Sequence, residues 1–144
     1  MIKIICVGKL KENYLKDGIN DYLIRINKYH KINIIELPDS DIKKEGVEIL
    51  EHIDNKDYTI AMCIEGNQLS SIELANKIDK TFITNSNITF IIGGSDGISE
   101  EVKDRCNYKL SFSKLTYPHG LFRLVLLEQI YRSFKILNNE TYHH

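Results

Sequence analysis

The sequence predicts an α/β fold, a mainly parallel sheet with helices on both of its faces. Three observations carry this. Apolar runs of strand length alternate with longer segments of helical periodicity, the order expected of β-α-β units. The first strand-like run, Ile2–Val7, is continuous rather than alternating, as a strand covered on both faces is,. Two prolines and eight glycines in 144 residues leave little room for linkers, and the sequence shows no repeat or low-complexity stretch. At this length the expectation is one domain over residues 1–144, large enough to hold a core without staples.

Taken in order, Ile2–Val7 is an apolar run stopped by Gly8. Residues 13–28 bring Leu15, Ile19, Tyr22 and Ile26 to one helical face,. Ile32–Leu37 reads as a second strand, stopped by Pro38-Asp39-Ser40. Residues 42–53 read as a charged surface helix, and 58–64 as a third strand ending at Glu65-Gly66-Asn67. Ser70 with Glu73 three residues later is a capping-box pattern and opens the next helix,. Residues 88–92 form a strand running into Gly93-Gly94-Ser95-Asp96-Gly97. Ser99 caps a short helix to about Arg105, and 108–112 make the last strand. The final helix covers 120–137. Its apolar positions take up more than one side, so it is either central or packs its outer face on a second copy, and a symmetric dimer is the simplest closure,.

Composition narrows the function. Hydrophobic residues at 42% and charged residues at 27% are an ordinary globular balance that excludes disordered and collagen-like classes,. No apolar run approaches the ~20 residues of a membrane helix, and Gly8, Lys9 and Lys11 follow the first strand too soon for a signal-peptide core,. A soluble cytoplasmic protein without membrane contact is expected. Cys6, Cys63 and Cys106 cannot all pair, no C-x-x-C occurs, and the five histidines lack i, i+4 spacing. A reducing compartment and no metal follow. A net charge of −1 argues mildly against nucleic acid,. Residues 102–135 nevertheless concentrate base: Lys103, Arg105, Lys109, Lys114, Arg123, Arg132 and Lys135 against Asp104 and Glu128.

In parallel sheets ligands sit beyond the carboxyl ends of the strands, which puts the loops 65–68, 93–97 and 111–119 on one rim. The glycine loop lets a backbone approach a ligand, or simply turns a strand into a helix. It is neither a P-loop nor G-x-G-x-x-G. In Ser111-Phe112-Ser113-Lys114-Leu115-Thr116-Tyr117-Pro118-His119, backbone groups can bond an adenine edge while apolar side chains sandwich it. The plain alternative is a loop with a buried aromatic. Glu128 and Arg132 are either an intrahelical ion pair worth a few tenths of a kcal/mol or a polar strip facing a substrate or a partner subunit. The tail Thr141-Tyr142-His143-His144 either frays or supplies stacking and proton handling.

Together, Ile91-Ile92-Gly93-Gly94-Ser95-Asp96-Gly97, the stretch from Leu110 to His119, Glu128-Gln129-Ile130-Tyr131-Arg132 and Tyr142-His143 closely resemble the RlmH family. These are SPOUT-class methyltransferases that modify N3 of a pseudouridine in 23S ribosomal RNA. The resemblance runs from Val7-Gly8-Lys9-Leu10-Lys11 to Tyr142-His143. It implies a homodimer and a deep trefoil knot near the C-terminus, an exception to the rule that chains avoid threading. It also implies S-adenosylmethionine bound by Met62, Gly93 and the stretch Phe112, Ser113, Lys114, Leu115, Thr116 and Tyr117. On this basis Arg132 and His143 orient the base or its phosphate, Tyr142 stacks or hydrogen-bonds, Glu128 holds Arg132, and His119 competes with water as proton acceptor. The acidic balance fits an assembled ribosome better than free RNA. The segment after Pro38 is shorter than usual for the family, and Met62 and Gly120 depart from it in ways that backbone-mediated contacts tolerate. The alternatives are a SPOUT-fold ribosome-binding or assembly factor without turnover, and a generic nucleotide-binding protein, which the missing P-loop lysine disfavours.

Overall fold

Strands that are apolar on both faces need a helix layer above and below, and the chain supplies both. In the computed structural model, which describes residues 1–144, the strands are β1 (Ile2–Val7), β2 (Ile32–Leu37), β3 (Asp57–Gln68), β4 (Asn87–Ile92) and β5 (Tyr108–Ser111). The helices are α1 (Asn13–Asn27), α2 (Ile42–Glu51), α3 (Ser71–Thr84), α4 (Glu100–Arg105) and α5 (His119–Leu137). The sheet order is β2-β1-β4-β3-β5 and every pairing is parallel. All six residues of β1 are buried, as its place between two strands and two layers requires.

The period of two along a strand sorts side chains between the layers. Ile2, Ile4, Ile60 and Phe90 face a core of 21 buried residues shared with α1, α3 and α5. Ile5, Val7, Ala61 and Ile91 face a smaller core of 8 shared with α2 and α4. Helix α5 packs against both α1 and α3. That central place accounts for most of its apolar circumference: Leu126, Leu127, Ile130, Tyr131 and Phe134 are buried, while Leu121, Leu124 and Val125 stay half-buried. Gly18 lets α1 come close, since a Cβ there would lie 3.0 Å from Leu124.

Two local expectations are corrected. Residues 65–68 are not a loop: β3 runs on to Gln68 through a bulge, so that Met62 and Asn67 both stand opposite Leu110. Gly66 makes this possible, because a Cβ there would fall 2.7 Å from the Leu110 backbone. Helix α2 stops at Glu51, short of residue 53, with His52 as its C-cap, which leaves Ile53 to pack on the smaller core. Ser70 and Glu73 form the expected capping box and Ser99 caps α4. No helix is long and apolar enough to cross a membrane.

Candidate active site

Beyond the carboxyl ends of β3, β4 and β5 lies a cavity of about 490 Å³, within the range of small-molecule sites. Seven of the eight residues expected to hold a methyl donor line it: Met62, Gly93, Phe112, Ser113, Leu115, Thr116 and Tyr117. Lys114 is exposed and does not. The loop after β5 is held by its own hydroxyls. Ser111 Oγ donates to the Ser113 carbonyl at 2.9 Å, and Ser113 Oγ accepts from the Leu115 N–H at 3.0 Å. The N–H groups of Phe112, Ser113, Lys114, Thr116 and Tyr117 donate to nothing within the chain. Phe122 stands behind this backbone edge, its ring 5.3 Å from that of Phe112 and 5.9 Å from that of Tyr117. A flat group with an apolar face and a polar rim suits this wall.

The glycine loop closes on itself. Gly97 N–H donates to the Gly94 carbonyl at 3.0 Å and Gly97 has φ +81°. A Cβ on Gly93 would run into the Gly97 carbonyl and lie 2.9 Å from Ile98. These glycines are therefore needed by the turn itself, before any ligand is considered.

His119 lines the side of the cavity nearest β1. Its Nε2 and the Asp39 carboxylate converge on Gly8, where a Cβ would be 3.0 Å from the first and 3.3 Å from the second. Gly8 has φ +100°, so the strand end depends on glycine twice over,. Arg123, only 2% exposed, fixes this corner from below. It donates to Glu36 at 2.7 Å, to the Val7 carbonyl at 3.2 Å and to the Gly8 carbonyl.

The other four expected catalytic residues form a separate cluster. Arg132 donates to Glu128 Oε1 at 2.8 Å and to Oε2 at 3.4 Å, and lies 3.1 Å from His143 Nδ1. Tyr142 donates to Glu128 at 3.0 Å, lies under the Arg132 guanidinium at 4.7 Å and meets Tyr131 edge-on at 5.1 Å. Burial, then the neighbouring Tyr22 and Glu128, push the Tyr142 phenol far above its ordinary value. The hydrogen bond to Glu128 raises Arg132 further. The tail is thus docked on α5 rather than frayed. None of these four residues lines the cavity.

Residues 1–143 match the family described as "Predicted SPOUT methyltransferase". The chain belongs to the SPOUT methyltransferase family. It is similar over 99% of its length to three curated proteins named Ribosomal RNA large subunit methyltransferase H, each covered over 98%. That of Clostridium botulinum (strain 657 / Type Ba4) is 47% identical, and those of Enterococcus faecalis and Alkaliphilus oremlandii are each 49% identical. The alignments run over 156 positions against 144 residues here, so each relative carries residues that this SPOUT chain lacks.

Membership makes the chain a methyltransferase and the cavity its candidate methyl-donor site. Three site features of this SPOUT chain escape sequence reasoning, whereas Glu65 lies on the rim expected for residues 65–68. Gly8 and Asp39 join His119 only across strands, and Lys103 reaches the cavity only through the turn of α4. The one available signal was a lone arginine, Arg123, inside the apolar run of α5. The concentration of base between residues 102 and 135 is largely internal. Lys103, Arg123, Arg132 and Lys135 pair with Glu65, Glu36, Glu128 and Glu140, leaving Arg105, Lys109 and Lys114.

Proposed function

We propose that this SPOUT methyltransferase moves the methyl group of S-adenosylmethionine to N3 of a pseudouridine in 23S ribosomal RNA. The setting is the cytoplasm, on the assembled large ribosomal subunit, with the protein acting as a homodimer of one-domain chains. The observation that carries the donor assignment is the set of free backbone N–H groups at Phe112, Ser113, Lys114, Thr116 and Tyr117, set between Phe112, Tyr117 and Phe122 at the cavity wall. The names of the relatives support the RNA substrate. The resemblance further implies that the loops 93–97 and 111–119 belong to a trefoil knot.

The residues present fit the donor: free backbone donors and acceptors suit an adenine edge, and the apolar walls suit its faces. When bound, the donor supplies an electrophilic methyl group open to in-line displacement, for which positioning contributes most. The 111–117 loop orients it, and Phe112, Tyr117 and Phe122 exclude water. Arg132 and His143 orient the target base or its phosphate, and Tyr142 stacks on it or hydrogen-bonds to it. Glu128 fixes the Arg132 fork. The N3 proton must leave, and His119 or a water beside it accepts that proton. Because the Arg132 cluster does not line its own chain's cavity, the dimer brings one copy's cluster to the other copy's cavity.

Calorimetric titration with S-adenosylmethionine, with ATP as control, tests the donor. Binding of S-adenosylmethionine alone is expected, and binding of ATP alone overturns the reading. Methylation is expected on assembled ribosomes and little on naked 23S RNA, and the reverse preference removes the ribosome from the proposal.

A further inference from the structure

His119 aside, only two side chains at the cavity wall carry formal charge, Glu65 and Lys103. They meet there because the β3 bulge turns Glu65 toward α4, where Lys103 Nζ donates to its carboxylate. Lys103 is largely covered, with 13% of its side chain exposed, while 55% of the Glu65 side chain is open. Glu100 Oε1 lies 3.6 Å from the same ammonium, and Lys109 adds positive field at Glu65. Both groups stay charged near neutrality: the Lys103 hydrogen bond holds the Glu65 carboxyl below its ordinary value, and the Glu65 bond raises Lys103. The pair sits at the β3 side of the cavity, across β4 from the β1 corner that holds His119.

An ion pair whose acid is half exposed contributes little to stability. At the wall of a half-apolar cavity the same pair offers one fixed anion and one fixed cation side by side. We infer that Glu65 and Lys103 form an α-amino-acid subsite of the donor cavity, Glu65 taking the α-ammonium and Lys103 the α-carboxylate of the methionyl end. A zwitterion entering between them turns one ion pair into two with no change in net charge, so the covered Lys103 ammonium is never left unpaired,. The nucleoside end is left to residues 112–117. This inference rests on the proposed donor.

The test is calorimetry on the full chain with two ligands. S-adenosylhomocysteine carries the amino-acid end, and 5′-methylthioadenosine has the same nucleoside and a thioether but lacks it. The wild-type protein is expected to bind the first at least about tenfold more tightly, the scale of a charged hydrogen bond. Lys103→Gln and Glu65→Gln are each expected to lose about tenfold for S-adenosylhomocysteine while binding 5′-methylthioadenosine as before. Lys103→Arg, which keeps the cation, recovers most of the preference. Equal weakening for both ligands, or no change for either, makes the pair a brace between β3 and α4 and overturns the subsite. Wild-type protein that binds neither ligand overturns the donor reading itself.

Discussion

Arg132 shows how much of the proposed chemistry depends on one side chain being held. Its guanidinium is fixed by two bonds to Glu128, the Tyr142 ring and His143, and it stands away from the cavity. Arg132→Ala is therefore expected to lower methyl transfer about a hundredfold, the cost of a misplaced reactant, while leaving donor affinity unchanged by calorimetry. Parallel loss of both would make the residue structural. Gly93 is the opposite case. With the Gly97 carbonyl and Ile98 already against it, Gly93→Ala is expected to cost about 1–3 kcal/mol by overpacking, read from urea denaturation, and to abolish donor binding along with it. Residues of these two kinds differ in how visible they are in a sequence. Glu128 and Arg132 lie four apart on one helix, so their pairing follows from helical spacing. Gly8, Asp39 and His119 meet only after three elements have been assembled, and no local pattern records that meeting.

Elements were legible where their cause is local. The α3 start follows from Ser70 and Glu73, whose reciprocal bonds of 3.1 and 2.8 Å satisfy orphan N–H groups. Ser70→Ala is expected to lower stability by about 1 kcal/mol in urea denaturation. The β3 bulge was not legible, because it is set by where Leu110 lies on the neighbouring strand rather than by β3 itself. The same holds for Lys3 and Asp57, a lysine in a buried strand and an aspartate at the start of another, which bond at 2.7 Å with both side chains nearly covered. Asn87 at 2.8 Å and the Asp54 N–H at 2.9 Å complete the carboxylate's shell. Removing one partner of such a buried pair costs about 3 kcal/mol, the loss expected for Asp57→Ala. Burial alone would raise the Asp57 pKa, but the hydrogen bonds from Lys3, Asp54 and Asn87 together hold it below the ordinary value. Its contribution is therefore complete above the unfolded-state pKa of about 3.9 and is lost as pH falls through the lower folded-state value. The acid limb of the wild-type stability curve is expected to flatten in the alanine variant.

For the molecule as a whole, the net charge is −1, and in the basic stretch from 102 to 135 the pairing of Lys103, Arg123, Arg132 and Lys135 leaves only Arg105, Lys109 and Lys114 free for RNA phosphates. A large structured target that shares the work of recognition suits such a surface. The separation of the Arg132 cluster from its own cavity belongs to the same scale. Sedimentation equilibrium is expected to give twice the 16.7 kDa chain mass, and a species of single chain mass at micromolar concentration overturns the dimer. The alternation of strands and helices was readable because parallel sheets impose it on the sequence. How the two helix layers share the load was not. One layer closes over a core of 21 buried residues and the other, α2 and α4, over 8. Local opening is cheapest where few apolar contacts must be broken, so the amides of α4 are expected to exchange with deuterium ahead of those in α1 and α3. Ile98 and Lys103 make that light layer one wall of the cavity. Occupancy of the site is thereby written into the exchange rates of a single short helix, where it can be followed without any turnover.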